Sequence, residues 1–397
     1  MASTWDLRRR FINIYGVVGV YKGRDEILLS KLILDPAHSI LTQSYDSRLR
    51  LDHRRPHNGD GFGVGYYTDP RLGPEPCIFT SIIPAWNCIN LERLASKTVS
   101  SLIFGHVRAT TEGNLSDSNC HPFRHRSLMW MHNGGIGAWR HVKRRLAASV
   151  ADEWFVNVQG STDSEWAFAL FLDSMDRMGH SPNAEPGENG FGHTVLRKAM
   201  LKTIQRINQL IAGIPGHHRS GDMRSLLNFA VTDGHSVVCT RYVSSKTDEA
   251  ASLFFSSGTS WKKQDSNNKS GDEKSDYKME RRDKGADIVL VASEPLTFER
   301  DNWVTVPTNS ILTIHRQTVM IHPILDEFYN HNPSHSRSSK FAEEKGQMSP
   351  NTARAVTETS RKATFAEERM SLSDGGETET SEEDVDRPSI GKLSLER

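Results

Sequence analysis

Cysteine is scarce in this sequence of 397 residues. The four cysteines, Cys77, Cys88, Cys120 and Cys239, lie far apart and form no C-x-x-C pair. This spacing argues against a disulfide framework and against a structural zinc site. Because disulfides are typical of oxidising compartments, we expect a cytoplasmic protein.

Long apolar runs are lacking as well. No stretch reaches the roughly 20 apolar residues that a membrane-spanning helix needs. The arginines at 8–10 and the mainly apolar run at 11–21 loosely imitate a signal peptide. That run lacks a clear small-residue cleavage site, and Asp6 is atypical of an arginine-rich organellar presequence. We therefore favour a chain without a targeting segment and expect no membrane partner.

The chain also lacks net charge. It contains 49 basic and 49 acidic residues, so its formal net charge is zero. Such a chain has no global field to attract nucleic acid or an anionic membrane surface, and we expect neither as a partner. Its length allows a large buried core. Partners must therefore be recognised at individual sites.

Composition divides the chain into three parts. Large apolar residues almost vanish after residue 335, and a segment of that kind cannot bury enough surface to offset its chain entropy. We therefore expect a disordered tail at 336–397, either a solvated spacer or a phosphorylation substrate. Residues 17–335 are expected to form one domain with flexible insertions at 179–190 and 262–284, and 1–16 an atypical N-terminal extension.

Strands are expected to outnumber helices in this domain. An Asp-Gly pair at 233–234, between two strand-like runs, predicts a hairpin and hence antiparallel pairing. Helices are predicted at 164–178, where Thr162 and Glu165 match a capping box, and at 195–214. Without regular βαβ alternation, this pattern predicts an α+β domain built on antiparallel sheets. The runs predicted as strands are 61–67, 101–107, 127–132, 226–231, 237–243, 288–292 and 311–314.

A glycine-rich segment, NGDGFGVGYY at 58–67, is the first notable segment of the chain. It satisfies neither the dinucleotide fingerprint nor the Walker motif, which requires a lysine. Phosphate binding is therefore disfavoured here. The glycines instead predict a tight turn and close backbone packing at the start of a strand.

Arg108 follows an apolar strand and is the first residue with candidate chemistry. A buried guanidinium needs an anion, which is either a ligand carboxylate or a structural ion-pair partner. His121 and His125 have an H-x-x-x-H spacing, but Pro122 argues against the helix that would align them on a metal. Cys120 adjoins His121, yet adjacent side chains of an extended segment point to opposite faces, so a nucleophile and base pair is disfavoured.

Two further segments could contact a reacting group. Asn133 and Gly134 end another strand, where a side-chain amide and a glycine N–H can converge as an oxyanion hole or simply form a turn. Asp163 precedes a helix and, on its position alone, is a first-turn carboxylate that offsets the helix dipole.

The order of these motifs is more specific than any one of them. NGDGFGV is followed by GHVRATT at 105–111, NCHPF at 119–123, HNGG at 132–135 and STDSE at 161–165. This order resembles the class II glutamine amidotransferases, in particular the fungal amidotransferase subunits of the cytosolic glutathione-degradation complex. The likeness runs from about residue 20 to residue 329.

The resemblance implies a four-layer αββα sandwich of two antiparallel sheets, as in N-terminal-nucleophile hydrolases. It implies that Arg108 binds the α-carboxylate of a γ-glutamyl substrate, with Thr111 and His121 shaping that pocket. Asp163 would bind the α-amino group, which replaces the helix-dipole interpretation given above.

The resemblance also implies an activity. Asn133 and Gly134 would form the oxyanion hole for hydrolysis of a γ-glutamyl amide, either glutathione, giving glutamate and cysteinylglycine, or glutamine. It implies no metal and no organic cofactor. It further implies a metallopeptidase-like partner subunit.

The nucleophile is where this sequence departs from the family. Family members use a cysteine that becomes N-terminal and whose free amine is the general base. Here Ala2 follows Met1, and Tyr15 or Gly16 occupies the position expected for that cysteine. Two hypotheses follow: a functional product that begins with Met-Cys joined near Val20, or a chain that binds γ-glutamyl compounds without cleaving them.

Overall fold

The computed structural model describes residues 17–45, 59–108, 115–218, 221–263, 277–281, 285–297, 302–332 and 335–345. Within these ranges, strands are commoner than helices. The strands within these ranges are β1 (Val17–Leu28), β2 (Phe62–Tyr66), β3 (Cys77–Ser81), β4 (Val99–Val107), β5 (Phe123–His125), β6 (Leu128–Gly135), β7 (Leu226–Thr232), β8 (Ser236–Arg241), β9 (Phe254–Gly258), β10 (Ser260–Lys263), β11 (Tyr277–Glu280), β12 (Ile288–Ala292), β13 (Val304–Thr305), β14 (Ser310–His315) and β15 (Thr318–Pro323). The helices are α1 (Ser30–Ile33), α2 (Ile40–Tyr45), α3 (Ile89–Ala95), α4 (Trp139–Ser149), α5 (Asp152–Val156), α6 (Asp163–Asp176), α7 (His193–Ala212) and α8 (Lys340–Glu344).

Most of these strands form two sheets. The first has the order β13-β9-β12-β1-β4-β2-β3, and the second has the order β15-β14-β8-β7-β6-β5. Each pairing between these described strands is antiparallel. Thr232 lies opposite Val237 across the turn that contains Asp233 and Gly234, which confirms the predicted hairpin. The runs predicted as strands and the two predicted helices are also confirmed.

Side-chain alternation places each sheet between two apolar layers. In the first sheet, Val20 and Phe104 face the second sheet, whereas Tyr21 and Ile103 face the opposite way. The inter-sheet layer joins residues of β1, β4 and β12 to residues of β6, β7, β8 and β14. Successive residues of a strand point to opposite faces, so one run of apolar residues serves both layers.

Helices cover the two outer faces. The outer face of the first sheet packs against apolar residues of α1, α2 and α3. The outer face of the second sheet packs against α4, α5, α6 and α7, with Trp130 of β6 stacked on Phe168 of α6. The order helix, sheet, sheet, helix confirms the α+β, four-layer αββα fold.

The helix α6 begins at the predicted position. The Thr162 hydroxyl accepts a hydrogen bond from the Glu165 backbone N–H (3.4 Å). The Glu165 carboxylate, however, accepts from the backbone N–H groups of Gln159 (2.9 Å) and Gly160 (2.6 Å). Glu165 therefore stabilises the loop that leads into the helix, and Thr162 alone caps the helix itself.

Alternate glycines of the glycine-rich segment face a neighbouring loop. A Cβ atom on Gly63 would overlap the backbone oxygen of His121, and one on Gly65 would overlap Met129 and approach Pro122. A Cβ on Gly61 would lie 2.8 Å from the Cys120 sulfur. The glycines are therefore needed for close packing, as predicted. They allow residues 120–122 to lie alongside β2.

The predicted tail boundary is wrong for residues 336–345. Arg337 donates from its Nη1 to the backbone oxygens of Ser245 (2.6 Å) and Asp248 (2.9 Å). Phe341 of α8 is buried, and the Arg224 guanidinium lies 3.8 Å from its ring centroid. One arginine and one aromatic side chain thus anchor a segment whose composition is otherwise polar. Residues 346–397 and 1–16 lie outside the described residues.

The predicted insertions have different outcomes. The ends of the 262–284 insertion are not loop, because β10 and β11 pair as an antiparallel ribbon with Trp261 opposite Met279, both buried. Buried apolar side chains on that ribbon explain the difference, and residues 264–276 and 282–284 lie outside the described residues. The flexibility of 179–190 stays a prediction.

No helix in the described part of the chain has both the length and the apolarity needed to cross a membrane.

We predict that Gly63→Ala destabilises the fold, since its Cβ would meet backbone rather than a movable side chain. Overpacking of this kind costs about 1–3 kcal/mol in free energy of unfolding, measured by urea denaturation. Gly216→Ala is the matched control, because a Cβ there meets nothing within 4 Å. Equal stability of the two variants would contradict the proposed packing.

Candidate active site

Polar side chains replace apolar ones where the inter-sheet layer ends. On β4 the inward residues Leu102 and Phe104 are followed two residues later by His106. The same alternation leads from Val291 of β12 to Ser293 and from Met131 of β6 to Asn133. Antiparallel pairing brings these ends together, because β4 and β12 both run against β1.

Arg108 lies two residues beyond His106 and is held in place by its backbone, whose N–H donates to the Gly61 oxygen (2.8 Å). The residue is 4% exposed, and its Nη1 has no hydrogen-bond partner among the described residues. A desolvated guanidinium with unused donors is stabilised by an anion in the same cavity. Its fork geometry suits a carboxylate.

Two neutral histidines lie beside this cation. The ring centroids of His106 and His121 are 4.1 Å apart, and His121 also packs edge-on against Phe123. Burial lowers the pKa of His106 to about 3, and the nearby Arg108 charge acts in the same direction. Burial likewise lowers the pKa of His121, with further lowering by His106, His132 and Arg108. Both rings are therefore uncharged at neutral pH.

A third histidine, His132, connects β6 to α6. Its Nε2 lies 3.1 Å from the backbone oxygen of Leu226, and its Nδ1 lies 3.0 Å from the Ser164 hydroxyl. A carbonyl only accepts, so Nε2 carries the proton, and Nδ1 of the neutral ring accepts from Ser164. Burial lowers the pKa of His132 against the opposing charge of Asp163. The Ser164 hydroxyl also lies 3.4 Å from the Asp163 Oδ1, which places Asp163 next to the same cluster.

Asp163 also orders the turn after β6. Its Oδ2 accepts a hydrogen bond from the Ile136 N–H (2.8 Å), and its Oδ1 has a longer contact of 3.4 Å with the Ser164 hydroxyl. The carboxylate is only partly buried. One oxygen is therefore engaged by the protein, and the other has capacity for a cation.

Asn133 is tied to the start of β1 through Ser293. The Ser293 hydroxyl oxygen accepts from the Asn133 side-chain N–H₂ (3.1 Å) and from the Val18 N–H (3.1 Å). Gly134 follows with a φ of 142°, and a Cβ there would overlap the Leu226 backbone oxygen. Only glycine suits this position. The Asn133 amide is thus fixed within two hydrogen bonds of the first residues of β1.

Comparison with known proteins supplies the family. The family described as class II glutamine amidotransferases matches residues 38–210. A probable glutamine amidotransferase of Saccharomyces cerevisiae, DUG3, is 53% identical over 331 residues, which cover 83% of this chain and 90% of that protein. The chain belongs to the class II glutamine amidotransferases.

Other matches have lower sequence identity. A γ-glutamyl-hercynylcysteine sulfoxide hydrolase of Mycobacterium tuberculosis is 31% identical over 158 residues, covering 39% of this chain and 60% of that protein. A solved structure of a class II glutamine aminotransferase domain protein from Silicibacter pomeroyi has 21% identity and a TM-score of 0.48, covering 77% of this chain and 98% of that one.

Most of the residues singled out from the sequence of this amidotransferase lie in one cluster. The charge of Arg108 acts on His121, the charge of Asp163 acts on His132, and Asn133 and Gly134 lie at the end of β6 next to His132. That His121 shapes a substrate pocket stays a prediction. Thr111 lies outside the described residues.

The disfavoured alternatives can also be compared with the structure. The His125 Nε2 lies 2.9 Å from the Asn183 side-chain oxygen, while His121 packs on His106. No group of three or more His, Cys, Asp or Glu in the described ranges could hold a metal ion. Burial raises the pKa of Cys120 to about 11 and that of Cys239 to about 12, so neither thiol is ionised at neutral pH.

Sequence reasoning missed three residues of the candidate site. His106 stands two residues before Arg108 on one strand, and a period of two would have placed both on the same face. His132 is the first residue of the HNGG motif, but the motif alone indicates no role for it. Ser293 had no signal of its own, because its contacts with Val18 and Asn133 cross 275 and 160 residues of sequence.

We predict an acid-sensitive fold. His106 titrates near pH 6.5 when unfolded but has a pKa of about 3 when folded, so the unfolded state binds more protons between these values. The free energy of unfolding is then lost as pH falls from 6.5 towards 3, by up to about 1.4 kcal/mol per pH unit for each such group.

His106→Asn should flatten this decline by up to about 1.4 kcal/mol per pH unit, measured by urea denaturation between pH 7 and 4.5. The exposed His180 provides the control variant, His180→Asn. If both variants retain the slope of the parent protein, His106 is not the buried neutral group described here.

Proposed function

We propose that a product of this chain that begins with Met-Cys joined near Val20 hydrolyses a γ-glutamyl amide at the cluster of Arg108, Asn133 and Asp163. The observation that carries the proposal is the double hydrogen bond at Ser293. It links the Asn133 amide to Val18, and the residues before Val18 are where the family resemblance places the nucleophile. An amide donor and an attacking group must both lie near one carbonyl for acyl transfer.

The γ-glutamyl headgroup would bind by its two charges. It carries an α-carboxylate and an α-ammonium group, and it therefore needs one cation and one anion. Arg108 has an unused donor in a desolvated position, and Asp163 has a weakly engaged oxygen. Because His106 and His121 are neutral, neither ring competes with Arg108 for the substrate carboxylate.

The amide end would lie at the end of β6. The Asn133 side chain and the Gly134 N–H would donate to the oxygen that becomes negative during attack. Fixed donors stabilise this charge without reorganising, because Ser293 and the β6–β7 pairing already hold them.

The reaction has two steps. An N-terminal cysteine would transfer its thiol proton to its own α-amine while sulfur attacks the γ-carbonyl carbon. The C–N bond then breaks, the amine product takes that proton, and a γ-glutamyl thioester remains. Water attacks the thioester, releases glutamate and returns a proton to sulfur.

The nucleophile decides between hydrolysis and binding. Tyr15 and Gly16, where the resemblance places the cysteine, have no thiol. Cys120 donates its thiol to the backbone oxygens of Ser81 (3.7 Å) and Ser116 (3.6 Å), so it is committed elsewhere. These facts favour the second candidate, a γ-glutamyl-binding subunit without hydrolysis, for any product that retains residues 15 and 16.

We further propose glutathione as the substrate, with glutamine as the alternative, and the cytoplasm as the location. The names of the relatives support this class of compound, since one is a probable glutamine amidotransferase and another a γ-glutamyl-hercynylcysteine sulfoxide hydrolase. A metallopeptidase-like partner subunit that completes the active complex is proposed from the family resemblance.

We predict that replacing residues 1–16 with Met-Cys gives a protein that releases glutamate from glutathione or glutamine. The matched Met-Ala replacement should remain at background, because loss of the nucleophile costs on the order of 10⁶ in rate. Glutamate release is measured with each substrate, with and without a metallopeptidase-like partner. Intact mass confirms that cysteine is the first residue.

A folded protein with a verified N-terminal cysteine that hydrolyses neither substrate would refute the hydrolase proposal. The natural product is then examined by N-terminal peptide analysis. If it retains Met1 or Ala2 and binds glutathione without cleaving it, the binding-subunit candidate is correct for that product.

We also predict separate effects for the two ends of the substrate. In the Met-Cys protein, Asn133→Ala should lower kcat by about 10²–10³, as expected for one oxyanion-hole donor. Arg108→Lys should mainly raise KM for glutathione, because lysine lacks the two-pronged fork. Arg93→Lys, at an exposed position of α3, is the control. Unchanged kinetics in both site variants would contradict the assigned roles.

A further inference from the structure

A cavity lies at the end of the two sheets opposite the candidate active site. It has a volume of about 480 Å³ and is lined by Lys22, Arg24, Asn189, His235, Asp287, His315, Arg316 and Gln317. Asn133 pairs with Asn228 early in β7, whereas His235 follows the end of β7. β1 connects the two ends, with Val18 at the candidate active site and Lys22 at this cavity.

Lys22 occupies a position that the pattern of β1 assigns to the inter-sheet layer. Val18 and Val20 are buried in that layer, and Lys22 is the next residue on the same face. It is 9% exposed and lines the cavity. Burial lowers the pKa of Lys22, which the charge of Asp233 opposes. A largely buried ammonium group that lines a cavity is stabilised by an anion bound there.

Asp233 does not provide that anion, because its carboxylate is already engaged. Its Oδ2 accepts from the backbone N–H groups of Phe191 (2.8 Å) and Gly192 (3.2 Å). Its Oδ1 accepts from those of His235 (3.0 Å) and Ser236 (2.8 Å). These four hydrogen bonds hold the 191–192 segment and the β7–β8 turn together. Asp233 therefore has little capacity left for a direct hydrogen bond to Lys22, although its charge still acts on Lys22.

The remaining charged groups make the cavity cationic. Arg24 and Arg316 contribute guanidinium groups, and His315 also lines the cavity, with its ring centroid 4.4 Å from that of His193. Asp287 is the acidic lining residue, and its contact with Arg24 is long (3.9 Å) and exposed. Such a pair compensates little charge. The lining thus has three cationic side chains and one carboxylate.

We propose that this cavity binds the phosphate group of a small molecule, with Lys22 as its buried anchor and Arg24 and Arg316 at its mouth. A phosphate oxygen accepts from a lysine point charge and from arginine forks at the same time, which a single carboxylate does less well. A cavity of about 480 Å³ is within the usual size of a small-molecule site and leaves room for an attached group. The bound species is thus either free phosphate or a phosphate ester.

Calorimetric titration of the full chain tests this proposal. The probes are inorganic phosphate and adenosine 5′-monophosphate, with sodium acetate at equal ionic strength as the reference. We expect saturable binding of at least one phosphate probe. Similar affinity for both indicates free phosphate, and tighter binding of the nucleotide indicates an ester. Absence of saturable binding by both probes would overturn the proposal.

Matched variants locate the binding. Lys22→Met should weaken it by about tenfold or more, as expected for the loss of one charge-assisted hydrogen bond. Lys202→Met removes the same charge from an exposed position of α7 and should leave the affinity unchanged. Equal affinities for these two variants would place the phosphate elsewhere and contradict the proposal.

Thermal unfolding distinguishes a phosphate-binding role of Lys22 from a purely structural role. In phosphate-free buffer, Lys22→Met should be at least as stable as the parent chain, because it removes a buried charge. Phosphate should then raise the Tm of the parent chain and not that of the variant. A large loss of Tm in phosphate-free buffer would identify Lys22 as a structural partner of Asp233 instead. None of these readouts depends on γ-glutamyl hydrolysis.

Discussion

The apolar contact between the two sheets is the constraint on which the rest of the structure depends. Val20 and Phe104 from one sheet meet Met131 and Leu312 from the other, and helices close the outer faces. Sheets packed in this way exclude water from the layer between them. Polar side chains that follow the inward-facing apolar residues of a strand are therefore largely buried at both ends of the layer.

The electrostatics of the candidate active site follow from that desolvation. The Arg108 charge acts on His106 and His121, and burial lowers the pKa values of these two rings and of the neighbouring His132. If they were protonated, they would repel the guanidinium at a low effective dielectric, where such repulsion is strong. The neutral rings instead supply shape and hydrogen bonds. His132 shows this most clearly, because its two nitrogens join the Leu226 oxygen to the Ser164 hydroxyl.

The same end of the sandwich is assembled from segments that are far apart in the chain. Ser293 joins Val18 to Asn133, and Asp163 bonds the turn that follows Asn133. Behind that turn, Gly137 donates its N–H to Ser225 (2.9 Å), and the neighbouring Arg224 packs on Phe341. Residues 335–345 therefore support the backbone next to the site, although their composition resembles that of a tail.

Local pattern was sufficient for the fold class and much of the candidate site. Strand periodicity, the Asp-Gly turn and the helix cap at Thr162 depend on near neighbours, so the sequence determined them by itself. The ordered motifs around Arg108, Asn133 and Asp163 likewise indicated the family. The sequence could not place the boundary of the tail, because the burial of Phe341 depends on residues nearly a hundred positions earlier.

Tertiary structure alone decided which polar side chains share a desolvated space. Ser293 meets Asn133, and Lys22 faces an anion-binding cavity, because antiparallel pairing carries distant strand ends to the same edge of the inter-sheet layer. No local propensity encodes such a meeting. Burial, and with it the pKa values of the histidines, arises only once both sheets are packed, since desolvation is a property of the surroundings rather than of the residue.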